Sequence, residues 1–422
     1  MSRLPFFYGW VMLPTVMLIS ICTSPGQTFG IAVFNPYIQE ALGLSSSELS
    51  GAYMAGTMLA SLPLIWVGAL MDRYGPRRVL VGVVLLFGLT CMGMTQVSGI
   101  ATLFVIFFFL RLLGQGSMSM LARNALAMWF ERRLGFASGL SNVGMAAAVG
   151  VVPALGIMLI DAYGWREAYA ILGLSVWVLV LPLLAFVFRN KPEDMGQVPD
   201  GGDAPRQREQ LKVRVGGAGR GFTLEQALRS RSYWIAVCAM ASWSMSGTGA
   251  QFHIVSIFAG RGLGAMEVAT MFSIYAVVIA CVRLGGGILA DKLPLNGLIA
   301  ASMLFQGLGL AVLNGLRAEW LPYAYPVVFA LGSGLLMSVG ETMWVRYYGR
   351  RHLGRIRGSV STIGVAASGV GPFVMGMAYD FFGGFSEVLW GCAALCAPLA
   401  LLGLWATPPQ LPAAKAAENI VR

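Results

Sequence analysis

Stretches of about 20 apolar residues, the length that carries a helix across a hydrocarbon layer, recur along this chain. They run at roughly residues 8–34, 50–71, 79–97, 101–128, 135–158 and 168–188. Beyond a polar stretch they resume at 233–258, 266–290, 296–315, 321–345, 358–379 and 386–406. The expected fold class is an all-α integral membrane protein of twelve transmembrane helices, six and six. Composition agrees: 57% of the residues are hydrophobic and 11% charged, where soluble domains carry about 25% charge. Too little charge remains to solvate a globule of this size, which excludes the soluble enzyme classes.

The net charge of +10 does not point to nucleic acid, because the basic residues cluster between apolar runs. Lys and Arg are retained on the cytoplasmic side of membrane proteins. Arg166, Arg261 and Arg317 fall in loops on one side. Arg73/Arg77/Arg78, Arg132/Arg133, Lys292 and Arg350/Arg351/Arg355/Arg357 fall on the other, with both termini. Both termini are therefore expected in the cytoplasm of a bacterial-type inner membrane. The apolar run from Phe6 is too long for a cleavable signal. The six cysteines lie inside apolar stretches without a CxxC pair and read as small buried hydrophobes. No phosphate-binding loop or HExxH motif occurs, and two histidines, His253 and His352, leave a catalytic triad almost no candidates. No cofactor, metal or enzymatic activity is expected.

The two halves repeat. Gly68-x-x-x-Asp72-Arg73 returns as Gly287-x-x-x-Asp291-Lys292, and Asp161-x-x-Gly164 as Asp380-x-x-Gly383. Gly144, Ala146, Ala147 and Gly156 return as Gly364, Ala366, Ala367 and Gly376. Six crossings bring the chain back to its starting side, so the repeats are parallel and related by an axis along the membrane normal. The expected organisation is a bundle at 1–188, a cytoplasmic linker at 189–232, a second bundle at 233–406 and a tail at 407–422. The linker is basic with a Gly/Pro/Asp-rich centre and reads as flexible, with an amphipathic stretch near 222–231.

The loop Gly68-Ala-Leu-Met-Asp72-Arg73-Tyr-Gly75-Pro-Arg77-Arg78 joins the second and third runs. Gly68 permits close helix approach, Asp72 can accept at a neighbouring helix N-terminus, and the arginines hold the loop cytoplasmic. This loop resembles the signature of the major facilitator superfamily, and the likeness extends over residues 6–406. It implies alternating access between two six-helix bundles, with Gly68, Asp72, Arg73, Arg77 and Asp291 in the conformational switch. Trp129-Phe130-Glu131-Arg132-Arg133 running into Ala137, Gly139, Asn142 and Gly144 resembles the fifth-helix motif of the monocarboxylate porters and their oxalate/formate relatives. Phe6-Phe7-Tyr8-Gly9-Trp10 is similar to that family's first-helix signature. Arg283 matches the family's eighth-helix arginine, which the resemblance implies binds a substrate carboxylate. Ile279 stands where animal monocarboxylate porters carry a coupling aspartate, and the eleventh run lacks the lysine of the oxalate exchangers.

Ionisable groups inside apolar runs are functional candidates by default. Arg283 lies about two turns, roughly 12 Å, inside its run and requires either an anion or a structural partner. His253 is either a packed helix residue or a protonatable substrate contact. Arg111, in Arg111-Leu-Leu-Gly114-Gln-Gly116, matches another superfamily motif and suits structural pairing or coupling equally. Glu341 reads as a gate ion pair with Arg346 or Arg123, or more rarely as a proton carrier. Gln27, Asn35, Ser117, Ser119, Asn142, Gln251 and Tyr275 are polar candidates for the cavity wall, where interhelical hydrogen bonding is the competing role. Pro25-Gly26, Gly30 and Pro36 loosen the first run. The expected activity is secondary transport of small organic anions, a monocarboxylate first, with or without a proton, by a protein acting as a monomer in the bilayer. An exporter of hydrophobic or cationic compounds is the alternative; it calls for a deep acidic residue in the first or fourth run, and none is present. A transporter-like sensor would need an output domain, which residues 407–422 do not supply.

Overall fold

The computed structural model describes residues 6–130, 133–201, 222–315, 317–349 and 353–409. Some helical side chains within these ranges, including those of Asp72, Asp291 and Glu341, lie outside the description. The expectations placed on those three carboxylates therefore lie outside the described residues.

Among the described residues there is no strand. In chain order the helices are α1 (Gly9–Ile21), α2 (Thr28–Ala32), α3 (Asn35–Leu42), α4 (Ser46–Ser61), α5 (Leu64–Tyr74), α6 (Pro76–Gly93), α7 (Ile100–Phe109), α8 (Ser119–Trp129), α9 (Leu134–Tyr163) and α10 (Trp165–Pro182). After the linker come α11 (Leu224–Leu228), α12 (Arg231–Phe252), α13 (Ile254–Ala259), α14 (Ala265–Lys292), α15 (Leu295–Gly315), α16 (Leu321–Tyr348), α17 (Leu353–Phe382) and α18 (Ser386–Leu404). Among the described residues nine helices are long and apolar enough to span a bilayer.

The first, second and seventh apolar runs form interrupted helices, each for a local reason. A Ser24–Gly26 turn containing Pro25 separates α1 from α2, since proline removes the N–H donor that would continue the helix. Pro63 ends the continuity of α4 into α5. His253 closes α12 and opens α13 with a non-helical backbone, φ −98° and ψ 8°. A π-helical segment, Leu110–Met118, joins α7 to α8; such turns concentrate at functional sites.

Within the first half α1 packs on α8 and α9, α4 on α7, and α6 on α10. Within the second, α16 packs on α14 and α15, α15 on α18, and α12 on α17. The halves meet along two seams, α4 against α17 and α9 against α14. Both seams are wedges. Near one end a Cβ added at Gly376 would collide with the Ser46 carbonyl and Ser50 Oγ. Further along α17, Gly369 has 3.6 Å to Met58, and at Gly358 nothing lies within 4 Å. In the second seam Gly150 would meet Ala276 at 3.0 Å, while at Gly139, three turns along the same face of α9, nothing lies within 4 Å. The halves are therefore shut at the Asp380 end and parted at the basic end. Gly68 follows from this: expected to admit a close helix, it has nothing within 4 Å, because its end of the seam is the parted one.

The described part of the linker is docked rather than loose. Gln197 accepts from the Tyr8 N–H at 2.9 Å and donates to the Phe6 carbonyl at 2.8 Å. Phe222 donates its backbone N–H to Tyr348 at 2.9 Å and stacks edge-on to that ring. Cys22, Cys91, Cys392 and Cys396 are buried as expected, whereas Cys238 and Cys281 are exposed on helix surfaces.

Candidate functional site

Arg283 sits on α14 at the close of an apolar span, Ala265–Arg283, with the helix continuing to Lys292. It is half-buried. Its Nη2 donates to the thioether of Met337 on α16, a weak acceptor. Its Nε is buried without any hydrogen-bond partner. Among the described residues Arg283 forms no ion pair. A buried guanidinium nitrogen left in this state costs free energy that an incoming anion would recover. Tyr275, about two turns away on the same helix, is buried and hydrogen-bonded to Ser333 on α16 at 3.3 Å.

Arg111 lies in the π-helical segment and is only 2% exposed. It is surrounded on three sides by the first half. Nε donates to Thr57 Oγ1 at 3.1 Å, Nη1 to the Gly26 carbonyl at 3.2 Å, and the guanidinium stands 4.9 Å from the centre of the Tyr53 ring. Nη2 remains without a partner. The break at Ser24–Gly26 explains the second contact, since it turns the Gly26 carbonyl out of a helical ladder. Gln27 extends the same cluster, donating to Ser119 Oγ at 3.4 Å. Two expected site residues, Gln27 and Ser119, are thus brought together beside Arg111, while Ser117 bonds back to Leu112 at 2.7 Å. Asn142 is exposed on α9.

His253 is 3% exposed and lies between the rings of Phe252 and Phe385. Its Nε2 is 3.0 Å from the Pro372 carbonyl on α17. Next to it, Asn35 donates to the Phe252 carbonyl at 2.7 Å, joining α3 to α12. Both bonds cross between elements at the shut end, and for Asn35 this is the interhelical hydrogen bonding weighed against a place in the cavity wall.

At the basic end Arg77 ties together elements of one half. Its backbone N–H donates to Asn190 at 2.9 Å, Nε to the Leu184 carbonyl at 2.6 Å, and Nη2 to the Ala185 carbonyl. A cation over the free carbonyls that end a helix is the expected electrostatic match. Arg73 is exposed and lies 5.3 Å from the Tyr74 ring, and Arg123 is exposed on α8. Sequence reasoning missed Asp380 as a site: its carboxylate joins α17 to the start of α4, at 3.1 Å from the Ser46 N–H and 2.8 Å from the Ser47 N–H. The repeat at Asp161 was the available signal. Among the described residues no cluster of metal-ligating side chains occurs.

Residues 17–324 match the family described as the Major Facilitator Superfamily. A protein described as a probable sulfoacetate transporter of Cupriavidus necator is 29% identical over 171 residues, 40% of this chain and 39% of that one. The oxalate:formate antiporter of Oxalobacter formigenes is 25% identical over 288 residues, 67% of this chain and 64% of that one. A multidrug resistance protein B homolog of Mycobacterium tuberculosis is 36% identical over 148 residues, 33% of this chain and 26% of that one. The match thus spans less than two thirds of each of these relatives. Among solved structures, a bacterial homolog of the human lysosomal transporter Spinster, described as inward-facing and unoccupied, superposes with a TM-score of 0.72 at 15% identity, over 96% of this chain and 99% of that one.

Proposed function

The chain belongs to the major facilitator superfamily of transporters, and from that premise we propose that it carries small organic anions, monocarboxylates first among them. The proposed cycle is alternating access, in which bundles 1–188 and 233–406 rock about a central site while the 189–232 linker joins them. The excess of Lys and Arg at the parted end supports a cytoplasmic side for that end, for both termini and for the 407–422 tail, in a proposed inner-membrane location.

One observation carries the substrate class: Arg283 is a fixed cation with a buried unpartnered Nε and only a thioether at Nη2. A carboxylate is planar and takes two parallel N–H bonds from a guanidinium, so it meets the unmet donors of this side chain. A cationic cargo repels this charge, and a neutral one can accept a bond but supplies no charge to balance it. Two relatives support the class, being named for sulfoacetate and for oxalate and formate. Tyr275, Gln27, Ser119 and Asn142 are the proposed polar wall. Arg111 is proposed to hold the first-half helices in register for coupling, and His253 to serve the seal at the shut end. Glu341 and Arg123 remain with the gate, together with Gly68, Asp72, Arg73, Arg77 and Asp291.

Counterflow of radiolabelled carboxylates into proteoliposomes tests the reading. The expected result is exchange of monocarboxylates, with the matching amides and methyl esters failing to compete. Transport of lipophilic cations or neutral drugs in preference to carboxylates would transfer the protein to the exporter class. Uptake driven by an imposed pH gradient, compared with exchange at equal pH, separates proton symport from antiport.

A further inference from the structure

The start of α4 has four backbone N–H groups that its own ladder cannot satisfy. Two are met locally by a capping box: Ser45 N–H donates to Glu48 Oε2 at 2.8 Å, and Glu48 N–H to Ser45 Oγ at 3.2 Å. The remaining two, Ser46 and Ser47, are met from the other half of the chain by the two carboxylate oxygens of Asp380, at 3.1 and 2.8 Å. A carboxylate at a helix N-terminus also meets the positive end of the helix dipole. One turn before Asp380, Gly376 lets α17 approach so closely that a Cβ would collide with Ser46 and Ser50. Carboxylate and glycine thus act together on one face of α17.

The repeat provides an internal control. An offset of 219 residues maps Ser45 to Gly264, Glu48 to Glu267 and Asp380 back to Asp161. At the start of α14 half of the arrangement persists, since the Gly264 N–H donates to Glu267 Oε2 at 2.9 Å. The other half does not. Gly264 has no side chain to cap Glu267, and among the described residues Asp161 makes no hydrogen bond to Ala265 or Met266. Met266 is 75% exposed.

We propose that Asp380 and Gly376 form a one-sided latch that holds the outer gate shut, whereas the equivalent α9–α14 seam carries no such latch. The outer gate then opens only when Asp380 releases the Ser46 and Ser47 N–H groups to water, so this carboxylate sets the ratio of shut to open outer gates. The word outer rests on the proposed orientation; the latch itself rests on the contacts.

Spin-label distances across the seam test this in the full-length chain, stripped of its native cysteines and placed in lipid nanodiscs. Glu40→Cys and Phe382→Cys, both at exposed positions of the shut end, carry the labels. In Asp380→Ala the fraction of long distances should rise at least about threefold, the scale of one helix-terminal charge interaction. Gly376→Ala should raise it as well, by steric exclusion. Ser46→Pro removes one donor at a position where proline suits a helix, and should give a smaller rise; it keeps the test alive if Asp380→Ala fails to fold. Asp161→Ala should leave the distribution at the parental one. An unchanged distribution in both Asp380→Ala and Ser46→Pro, or an equal shift in Asp161→Ala, overturns the latch. Labelling the Glu40→Cys thiol with an impermeant maleimide in oriented vesicles reports separately which face this end occupies, so a wrong orientation is distinguishable from a wrong latch.

Discussion

Arg111 and Arg283 each place a guanidinium inside an apolar helix, one in each half of the chain, yet their surroundings differ. Arg111 is 2% exposed and meets a backbone carbonyl, a threonine hydroxyl and the face of Tyr53, with Nη2 left without an acceptor. Arg283 is half-buried, with a thioether for one nitrogen and no acceptor for another. The cost of holding a charge in low dielectric falls when protein dipoles replace water. Arg111 therefore receives most of its solvation from the fold, and Arg283 receives less, which is the basis of its proposed role. The same residue type is largely satisfied by the fold in one half, and in the other it is the proposed contact for an anion.

The largest expected effect breaks this comparison at Arg283. Arg283→Gln should abolish carboxylate counterflow while the protein still reaches the membrane with its thermal midpoint retained. A lost charge-assisted bond of about 1.5–3 kcal/mol corresponds to an affinity loss of at least about tenfold. Arg283→Lys keeps the charge without the two-pronged geometry and should fall between. Normal carboxylate transport by folded Arg283→Gln would overturn the proposed anion contact.

Arg111 should respond in the opposite currency. Arg111→Met removes donors from the Gly26 carbonyl and Thr57 without leaving a charge, and should lower stability by about 1–3 kcal/mol. The measurement is a thermal melt in detergent beside substrate affinity. Affinity for carboxylates in the surviving folded fraction should change less than in Arg283→Gln. If affinity collapses and the melt does not move, Arg111 belongs to the substrate site and the contrast between the halves disappears.

The contrast was only partly legible in the sequence. Apolar run length and basic clustering carried the all-helical membrane fold, and Pro25-Gly26 marked the interruption that α1 and α2 show. Arg283 could be singled out because an arginine inside an apolar run is rare in itself. Its difference from Arg111 could not, because it depends on which partners the fold delivers. Thr57 stands 54 residues from Arg111 and Gly26 stands 85 away, beyond the reach of any local pattern. The π-helical segment that aims Arg111 has no compositional mark either. Asp380 shows the same limit: the repeat exposed the residue, but its partners lie 334 and 333 residues earlier.

A middle-sized effect sharpens the comparison at the level of the halves. The Asp380 latch crosses the α4–α17 seam, whereas among the described residues α9–α14 is bridged by the Ser273 hydroxyl donating to the Gly150 carbonyl at 3.1 Å and by no carboxylate at a helix start. Asp380→Asn keeps an acceptor oxygen but loses the charge that favours the helix terminus. It should slow the return of the outer gate to the shut state and raise the rate at which external substrate is bound by roughly twofold to threefold. Asp161→Asn should not. Stopped-flow binding to right-side-out vesicles reads both variants.

His253 gives the smallest expected effect, and it concerns pH. A free histidine titrates near pH 6.5, so a proton carrier at this position would make uptake rise as pH falls through that value, and glutamine would flatten the profile. The structure surrounds the ring with Phe252 and Phe385 and gives its Nε2 the Pro372 carbonyl. In that arrangement the neutral ring already has an acceptor for its N–H, and the one carboxylate that acts on it, Asp380, has both oxygens engaged by the Ser46 and Ser47 N–H groups. His253→Gln retains an N–H donor for Pro372. It should therefore keep the parental dependence of uptake between about pH 5.5 and 7.5 while loosening the joint between α12 and α17. His253→Leu, which cannot donate, should open that joint further and show it as more long distances between the Glu40 and Phe382 labels. A flattened profile in His253→Gln with unchanged distances would move the histidine from the seal to the transported proton. It would also give the second half two ionisable groups that answer to the substrate, where the present contrast assigns it Arg283.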